Sequence, residues 1–127
     1  MSMTNFLETE LLKAVLNGNT YSGGNITVGL FTSNPGEIGG GAEVNDPNYQ
    51  RQVVTFSAPA EIGGQTTVSN TNLIEFGPAE NNFGTVTHIG IFDGANMIFY
   101  KALNTPIVVN EGTGIRIQPG DLSVSLD

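Results

Sequence analysis

The stretch that decides the fold reads NNFGTVTHIGIFDGANMIFYKAL, residues 81–103. At its centre, in DGAN, Gly94 can adopt the positive φ that reverses a strand, which predicts a β-hairpin. The first arm carries Val86, His88 and Phe92 on one face and Ile89 and Ile91 on the other. The second arm carries Met97 and Phe99 on one face and Ile98 and Tyr100 on the other. Both faces are therefore expected to be covered, one by an opposite sheet and one by the N-terminal helix or a neighbouring subunit.

The chain beyond residue 25 shows the period of two that is typical of strands. Turns rich in glycine, proline and asparagine separate the segments, and the 127 residues include 17 glycines. The segments expected to form strands read NITVGLFT, QRQVVTFS, TTVSN, NLIEF, TVTHIGIFD, NMIFYKAL, PIVVN, GIRIQ and DLSVSLD. Short strands at this spacing predict an all-β fold, a β-sandwich of about nine mostly antiparallel strands, in a single domain over residues 1–127.

One N-terminal amphipathic helix is expected at about residues 4–17, where NFLETELLKAVL places apolar residues at helical spacing. Asn5 followed by Glu8 resembles a capping box at the start of this helix. Its polar face is acidic, which is the wrong sign for anionic lipid. We therefore expect the helix to pack on the sheet, with no membrane as a partner.

Charge and residue types exclude several classes of function. Twelve acidic and four basic residues give a formal net charge of -8, and the scattered cations form no basic stripe, so nucleic acid is not an expected partner. Without cysteine the chain has no disulfide framework, thiolate metal site or cysteine nucleophile. No apolar run is long enough for a signal peptide or a membrane span, so we expect synthesis in a cytoplasm without an export signal.

His88 is the one histidine of the chain and hence the one candidate histidine base. It lies in the middle of an apolar strand, and no Gly-x-Ser-x-Gly segment presents a serine to it. No pair of carboxylates stands out for glycoside cleavage either. We therefore expect a packed, structural His88, with no catalytic residues, and we do not expect an enzyme.

The long irregular segment reads SNPGEIGGGAEVNDPNYQ, about residues 33–50, and a loop of this length is usually functional or mobile. Its EVNDPN run offers hard oxygen donors for calcium, namely Glu43, Asn45, Asp46 and Asn48. The spacing fits no EF-hand and the run is also a common turn sequence, so no metal site is predicted. Arg51, just after the loop, is expected either to bond loop carbonyls or an acid such as Glu43, or to remain solvated at a strand edge.

Six segments, distributed along almost the full chain, carry a resemblance to known proteins. They read NFLETELLKAV, VGLFTSNP, EVNDPNYQRQVVTFSAP, SNTNLIEF, FGTVTHIGIFD and PGDLSVSLD. In this order they resemble a family of small virion proteins of tailed bacteriophages, usually labelled tail-fibre proteins. The chain departs from the family at Phe83, where a tryptophan is expected, and this departure concerns packing detail. The resemblance implies no catalytic residues, no cofactor, and incorporation into the phage particle.

A compact sandwich without heptads or long repeats is better suited to a small unit that covers a surface of the particle than to an elongated fibre. We therefore expect a non-enzymatic structural protein of the virion, most readily a capsid decoration or cement protein. The alternative is a tail or tail-fibre component, including a host-surface (glycan) binding module, for which Tyr49 and Tyr21 are the candidate exposed aromatics. The expected partners are the major capsid protein or tail proteins and copies of the chain itself, in a virion assembled in the host bacterial cytoplasm.

Subunit contacts are predicted at apolar side chains for which the sequence indicates no packing partner within the chain. They are Ile38, Val44 and Tyr49 in the long loop and Met97 and Phe99 in the hairpin. Ordering a glycine-rich loop is costly, so a partner subunit is expected to supply the compensating burial.

Overall fold

The computed structural model describes residues 1–126, which form ten strands and one helix. In chain order the elements are β1 (Ser2–Met3), α1 (Asn5–Leu16), β2 (Ile26–Phe31), β3 (Gln52–Val53), β4 (Ala60–Ile62), β5 (Gln65–Ser69), β6 (Ile74–Phe76), β7 (Gly84–Asp93), β8 (Asn96–Val109), β9 (Ile115–Ile117) and β10 (Ser123–Leu126). The all-β class with one N-terminal helix is confirmed.

The strands form three antiparallel sheets. A five-stranded sheet has the order β1-β8-β7-β2-β3, a three-stranded sheet the order β10-β5-β4, and β6 pairs with β9. The two smaller sheets and α1 share one continuous core with a single face of the five-stranded sheet, here called the inner face. Leu30 and Ile91 from the large sheet and Phe76 and Leu122 from the other layer are fully buried in it. The layers therefore pack as a β-sandwich.

The strand count differs from the sequence prediction in three places. β1 and β4 are not predicted, because strands of two and three residues are too short to display a period. NMIFYKAL and PIVVN, expected as two strands, form the one strand β8, whose register with β7 shifts between Val86 and His88.

Two register shifts in the hairpin of β7 and β8 overturn part of the predicted alternation. One places Val86 in the inner core instead of on the face of His88. The other, beside the turn, directs Phe99 to the inner core and Met97 to the opposite, outer face, so these two residues do not share a face. An extra residue in a strand reverses the alternation beyond it, which a period of two cannot reveal.

The helix α1 begins at an N-cap that the sequence analysis assigns to the wrong residue. Thr4 Oγ1 accepts a hydrogen bond from the Leu7 N–H at 3.4 Å and donates one to the Met97 carbonyl at 2.7 Å. Asn5 is the first helical residue and is exposed, whereas Thr4 is buried. Thr4 therefore both starts the helix and ties it to β8.

Only the first half of α1 contributes a fully buried side chain to the core. Leu7 is buried there, whereas Leu12, Val15 and Leu16 near the C-terminal end are 59%, 75% and 72% exposed. Among the described residues, no helix has the length and apolarity required to cross a bilayer.

The outer face of the five-stranded sheet carries a second, smaller cluster, here called the outer cluster: Phe31, Phe92 and Met97. The long loop lies over it, since a Cβ built on Gly39 would approach the Met97 Cβ to 3.7 Å. Phe31 also bridges to Glu43 in the loop. The loop of the same chain therefore contributes a cover at this face that the sequence analysis does not predict, while Leu7 of α1 packs into the inner core.

Candidate functional site

The base of the long loop is fixed by three side chains, Glu43, Tyr49 and Arg51, here called the loop clamp. Arg51 donates two hydrogen bonds to the Glu43 carboxylate, from Nε to Oε2 and from Nη2 to Oε1, each 2.9 Å long. Tyr49 Oη donates a third to Glu43 Oε2 at 2.6 Å. This bidentate geometry confirms the contact between Arg51 and Glu43 and excludes a solvated edge arginine.

Tyr49 links the clamp to the inner core. Its Oη accepts a hydrogen bond of 2.9 Å from the Leu30 N–H in β2. Its ring stacks on Phe76, with 6.0 Å between ring centroids, and meets Phe83 edge-on at 5.9 Å. Burial and the hydrogen bond to Glu43 raise the pKa of Tyr49 well above its usual range. The phenol therefore keeps its proton and serves as a donor to Glu43.

The charges of the clamp compensate each other. Burial acts to raise the pKa of Glu43, but the hydrogen bonds from Arg51 and Tyr49 outweigh burial and leave that pKa lowered. The hydrogen bond with Glu43 in turn raises the pKa of Arg51. The Arg51 guanidinium also lies over the Phe92 ring, with Cζ 3.5 Å from the centroid. This cation–π contact joins the clamp to the outer cluster.

Two glycines make room for this packing. A Cβ on Gly29 would lie 2.7 Å from Glu43 Oε2 and 3.0 Å from the Tyr49 hydroxyl. A Cβ on Gly90 would lie 2.9 Å from the Met97 Cε. The sequence analysis missed both residues, although a glycine inside a strand, as in VGLF and HIGIF, signals a close approach of other groups to the backbone.

A pocket of about 430 Å³ opens between the loop and the outer face, beside the clamp. Its polar wall includes Glu37 and Arg51, its apolar wall includes Phe92, and Ile38 stands at its rim with 84% of its surface exposed. Tyr100 Oη donates a hydrogen bond of 2.8 Å to Glu37 Oε1 and thereby attaches the loop tip to β8. The loop is thus held at both its base and its tip.

The predicted contact residues fall into two groups. Val44 and Met97 are buried, and Tyr49 and Phe99 are half-buried, all within the chain itself. Ile38 is the one member of the five that is exposed. The chain therefore supplies most of the cover that the sequence analysis assigns to a partner.

The two aromatic candidates for glycan binding are engaged inside the chain. Tyr49 is stacked in the core, as described above. Tyr21 meets Phe6 edge-on and its Oη donates a hydrogen bond of 2.6 Å to Asp93 Oδ2. Burial, followed by that hydrogen bond, raises the pKa of Tyr21 to about 12. Neither ring is a freely exposed loop aromatic.

Three of the four oxygen donors considered for calcium have partners within the chain. Glu43 belongs to the clamp, Asp46 Oδ1 accepts a hydrogen bond of 2.9 Å from the Asn48 N–H, and the Asn48 side chain donates to the Pro78 carbonyl. Asn45 is exposed. Within residues 1–126, no group of three or more His, Cys, Asp or Glu side chains could hold a metal ion.

His88 is half-buried in β7, opposite Phe31 in β2 and Ala102 in β8. Its Nδ1 shares a hydrogen bond of 2.8 Å with the Thr87 hydroxyl. Across the described part of the chain, no salt bridge or hydrogen bond joins a carboxylate to this imidazole. The group that orients the histidine in a hydrolytic triad is missing from this arrangement.

Comparison with known proteins places this fold in a family. Residues 2–125 match the family described as Podophage GP4 fiber I protein gp80. No curated protein matches the chain. The match includes α1, the loop clamp and both layers of the sandwich, and it supports the tail-fibre alternative, whereas capsid decoration receives no support from it. The chain therefore belongs to the podophage GP4 fiber I protein gp80 family, a phage tail-fibre-type family.

Proposed function

We propose that the protein is a non-enzymatic structural component of a phage tail fibre, where its partners are other virion proteins. The observation that carries this proposal is the family match over residues 2–125, because it names a fibre protein and covers strands of both layers of the sandwich. Assembly in the host bacterial cytoplasm and incorporation into the virion follow from the same role.

The loop clamp supports a role in assembly. A glycine-rich loop normally loses much conformational entropy when a partner orders it. Here the bonds of Glu43 to Arg51 and Tyr49, and of Glu37 to Tyr100, order the loop within the isolated chain. A preorganised surface binds its partner at a lower entropic cost, which suits a protein that makes the same contact in every particle.

The described side chains also favour a structural role over a catalytic one. The strongest acid–base grouping, Glu43 with Arg51 and Tyr49, has its carboxylate oxygens occupied by three hydrogen bonds. The hydroxyl–imidazole pair of Thr87 and His88 lacks an orienting carboxylate. The clamp is arranged to position a loop, which supports the non-enzymatic proposal.

The location can be tested in phage particles from which the gene has been deleted. The particles are complemented with the chain carrying a short epitope tag, and tag-specific gold is localised by electron microscopy. We expect gold at the tail fibres and none over the head. Gold distributed over the head would contradict the fibre role and favour capsid decoration.

The proposal that the protein is not an enzyme can be tested in the same complementation experiment. His88→Ala should restore adsorption and infection to wild-type levels, because the imidazole positions no reacting group. Glu43→Ala is the matched comparison, and it should complement poorly because it releases the loop. Loss of infection by a folded, incorporated His88→Ala chain would overturn the non-enzymatic proposal.

A further inference from the structure

The pocket of about 430 Å³ between the long loop and the outer face is lined by side chains with unused hydrogen-bonding atoms. Asn5 and Asn96 are exposed there, and within residues 1–126 neither side-chain amide makes a hydrogen bond. Glu37 accepts at Oε1 only, which leaves Oε2 without a donor in the described chain. Arg51 donates from Nε and Nη2 in the loop clamp, which leaves Nη1 available. The pocket therefore offers unused donors and unused acceptors side by side.

The same pocket has an apolar part. Ile38 at its rim is 84% exposed, and half-buried Phe6 and exposed Ala95 also line it. Ligand pockets usually combine apolar side chains with a few polar groups, in a volume of about 300–1,000 Å³. A ligand in this pocket would remove part of the Ile38 side chain from water, which is favourable.

Charge disfavours an anionic ligand. Glu37 and Glu43 supply two carboxylates and Arg51 one guanidinium, so the lining has one net negative charge in a chain whose formal net charge is -8. A phosphate or carboxylate would be repelled by this field. The N-terminus of α1 compensates little, because the Asn5 N–H already donates to the Glu37 carbonyl at 3.0 Å.

Hydrogen bonding disfavours a cationic ligand. An ammonium or guanidinium group can only donate. It would leave Arg51 Nη1 and the amide N–H groups of Asn5 and Asn96 without acceptors, and groups shielded from water without partners are costly. The ligand that matches this lining is therefore uncharged and has polar groups that both donate and accept.

Hydroxyl groups donate and accept at the same oxygen. A neutral sugar carries several of them on one ring, and its C–H groups can pack on Ile38 and Phe6. A peptide also donates and accepts, but peptides are usually bound along a strand edge or in an extended groove. This pocket lies over the face of a sheet, between its outer cluster and the loop.

We propose that this pocket binds one neutral hexose residue. The amides of Asn5 and Asn96, Glu37 Oε2 and Arg51 Nη1 hydrogen-bond its hydroxyl groups, and Ile38 packs on its ring. The hydrogen bonds at the base and tip of the loop order this wall in advance, so binding does not have to order it. Since the sugar exchanges water for protein partners, we expect a dissociation constant on the order of 1 mM for a single residue.

Titration of the isotope-labelled chain with single sugars, followed by NMR, tests this proposal. The probes are glucose, galactose and mannose, each with its uronic acid and its 2-amino derivative. We expect at least one neutral hexose to shift the Asn96 side-chain amide signals saturably. The matching uronic acid and amino sugar should bind about tenfold more weakly, because one is repelled and the other leaves donors unpaired.

The absence of a saturable shift with all three neutral hexoses would overturn the proposal. Tighter binding of an amino sugar or a uronic acid than of its neutral parent would also overturn it, in favour of a cation or anion pocket. The purified chain is used, so this result is separate from the localisation of the protein in the virion, and either proposal can fail without the other.

Two variants test the assigned groups. Asn5→Ala should weaken binding of the hexose about fivefold, as the loss of one hydrogen bond does, whereas Asn19→Ala, at an exposed amide outside the pocket, should leave it unchanged. Glu37→Gln keeps an Oε1 acceptor for Tyr100 but removes the charge. It should therefore reduce the discrimination against the uronic acid. Equal effects of Asn5→Ala and Asn19→Ala, or unchanged discrimination in Glu37→Gln, would contradict the assigned site.

Discussion

Gly29 in β2 and Gly90 in β7 lie directly opposite each other in the antiparallel register, and the outer cluster and the loop clamp pack above this pair. Each glycine leaves free the volume that a Cβ would fill. Over Gly29 this volume is taken by Glu43 and Tyr49, and over Gly90 by Met97. The base of the long loop can approach the sheet because Gly29 carries no side chain, and Gly90 makes room for Met97 of the outer cluster.

Gly29→Ala should therefore lower the free energy of unfolding by about 1–3 kcal/mol, as overpacking of a filled site does. The added methyl group would lie 2.7 Å from Glu43 Oε2, and three hydrogen bonds prevent that carboxylate from simply moving away. Urea unfolding measures the change. Gly40→Ala is the control, since its Cβ would meet only Ile38 at 3.8 Å, an ordinary contact distance. Equal stability of the two variants would show that the loop clamp can shift to accommodate the added methyl group at little cost.

Arg51→Ala should destabilise the chain by about 1–3 kcal/mol, because it leaves the half-buried Glu43 carboxylate without its cation. Solvent reaches both groups, with side-chain exposures of 34% and 24%, so we expect the lower half of this range. Arg51→Lys keeps the charge but loses the second hydrogen bond and the planar stacking on Phe92, and should fall between wild type and Arg51→Ala.

The control for this prediction is Arg116→Ala. Arg116 pairs with Glu75, but the two side chains are 67% and 46% exposed. A pair this exposed contributes about 0–1 kcal/mol. Thermal or urea unfolding should thus separate Arg51 from Arg116, and a larger loss at Arg116 would argue against the clamp as the main anchor of the loop.

The sequence predicts those parts of the structure that depend on neighbouring residues. Alternation in NITVGLFT predicts β2, and the charges of Glu43 and Arg51 make their contact one of two alternatives, the one that the structure contains. The hydrogen bond that ties Thr4 to β8 is missed, because its hydroxyl donates to the Met97 carbonyl 93 residues away. The cover of the outer face is missed for a similar reason. Apolar loop residues have no period that would indicate which surface they meet, and the glycine pair has meaning only once β2 and β7 are in register.

The clamp should make stability depend on acid pH. The pKa of Glu43 is lowered in the folded chain relative to its usual value of 4.5. A carboxyl group with a lowered folded-state pKa stabilises the fold fully above its usual pKa, and this contribution is lost as the pH falls through the lowered value. The unfolding free energy of wild type should therefore decrease below about pH 4.5 more steeply than that of Glu43→Gln.

The two proteins share every other titratable group, so the informative quantity is the difference between their free energies of unfolding. The difference in unfolding free energy between wild type and Glu43→Gln should be largest at neutral pH and should decrease as the pH is lowered. Parallel curves for Glu43→Gln would mean that the Glu43 carboxylate contributes no linkage and that apolar packing alone holds the loop.

The N-terminal helix offers the last test, since Thr4 and Asn5 are adjacent candidates for its cap. Thr4→Val keeps the side-chain shape but removes the hydroxyl that binds the Leu7 N–H and the Met97 carbonyl. Thr4 is only 2% exposed, so water cannot replace these bonds, and the loss should be about 1–2 kcal/mol. Thr4→Ser should recover most of the stability, and Asn5→Ala should change it little, because Asn5 is an exposed first-turn residue. A larger loss of unfolding free energy in Asn5→Ala would show that Asn5 caps the helix. The hydrogen bond from the Thr4 hydroxyl to β8 would then contribute little to stability.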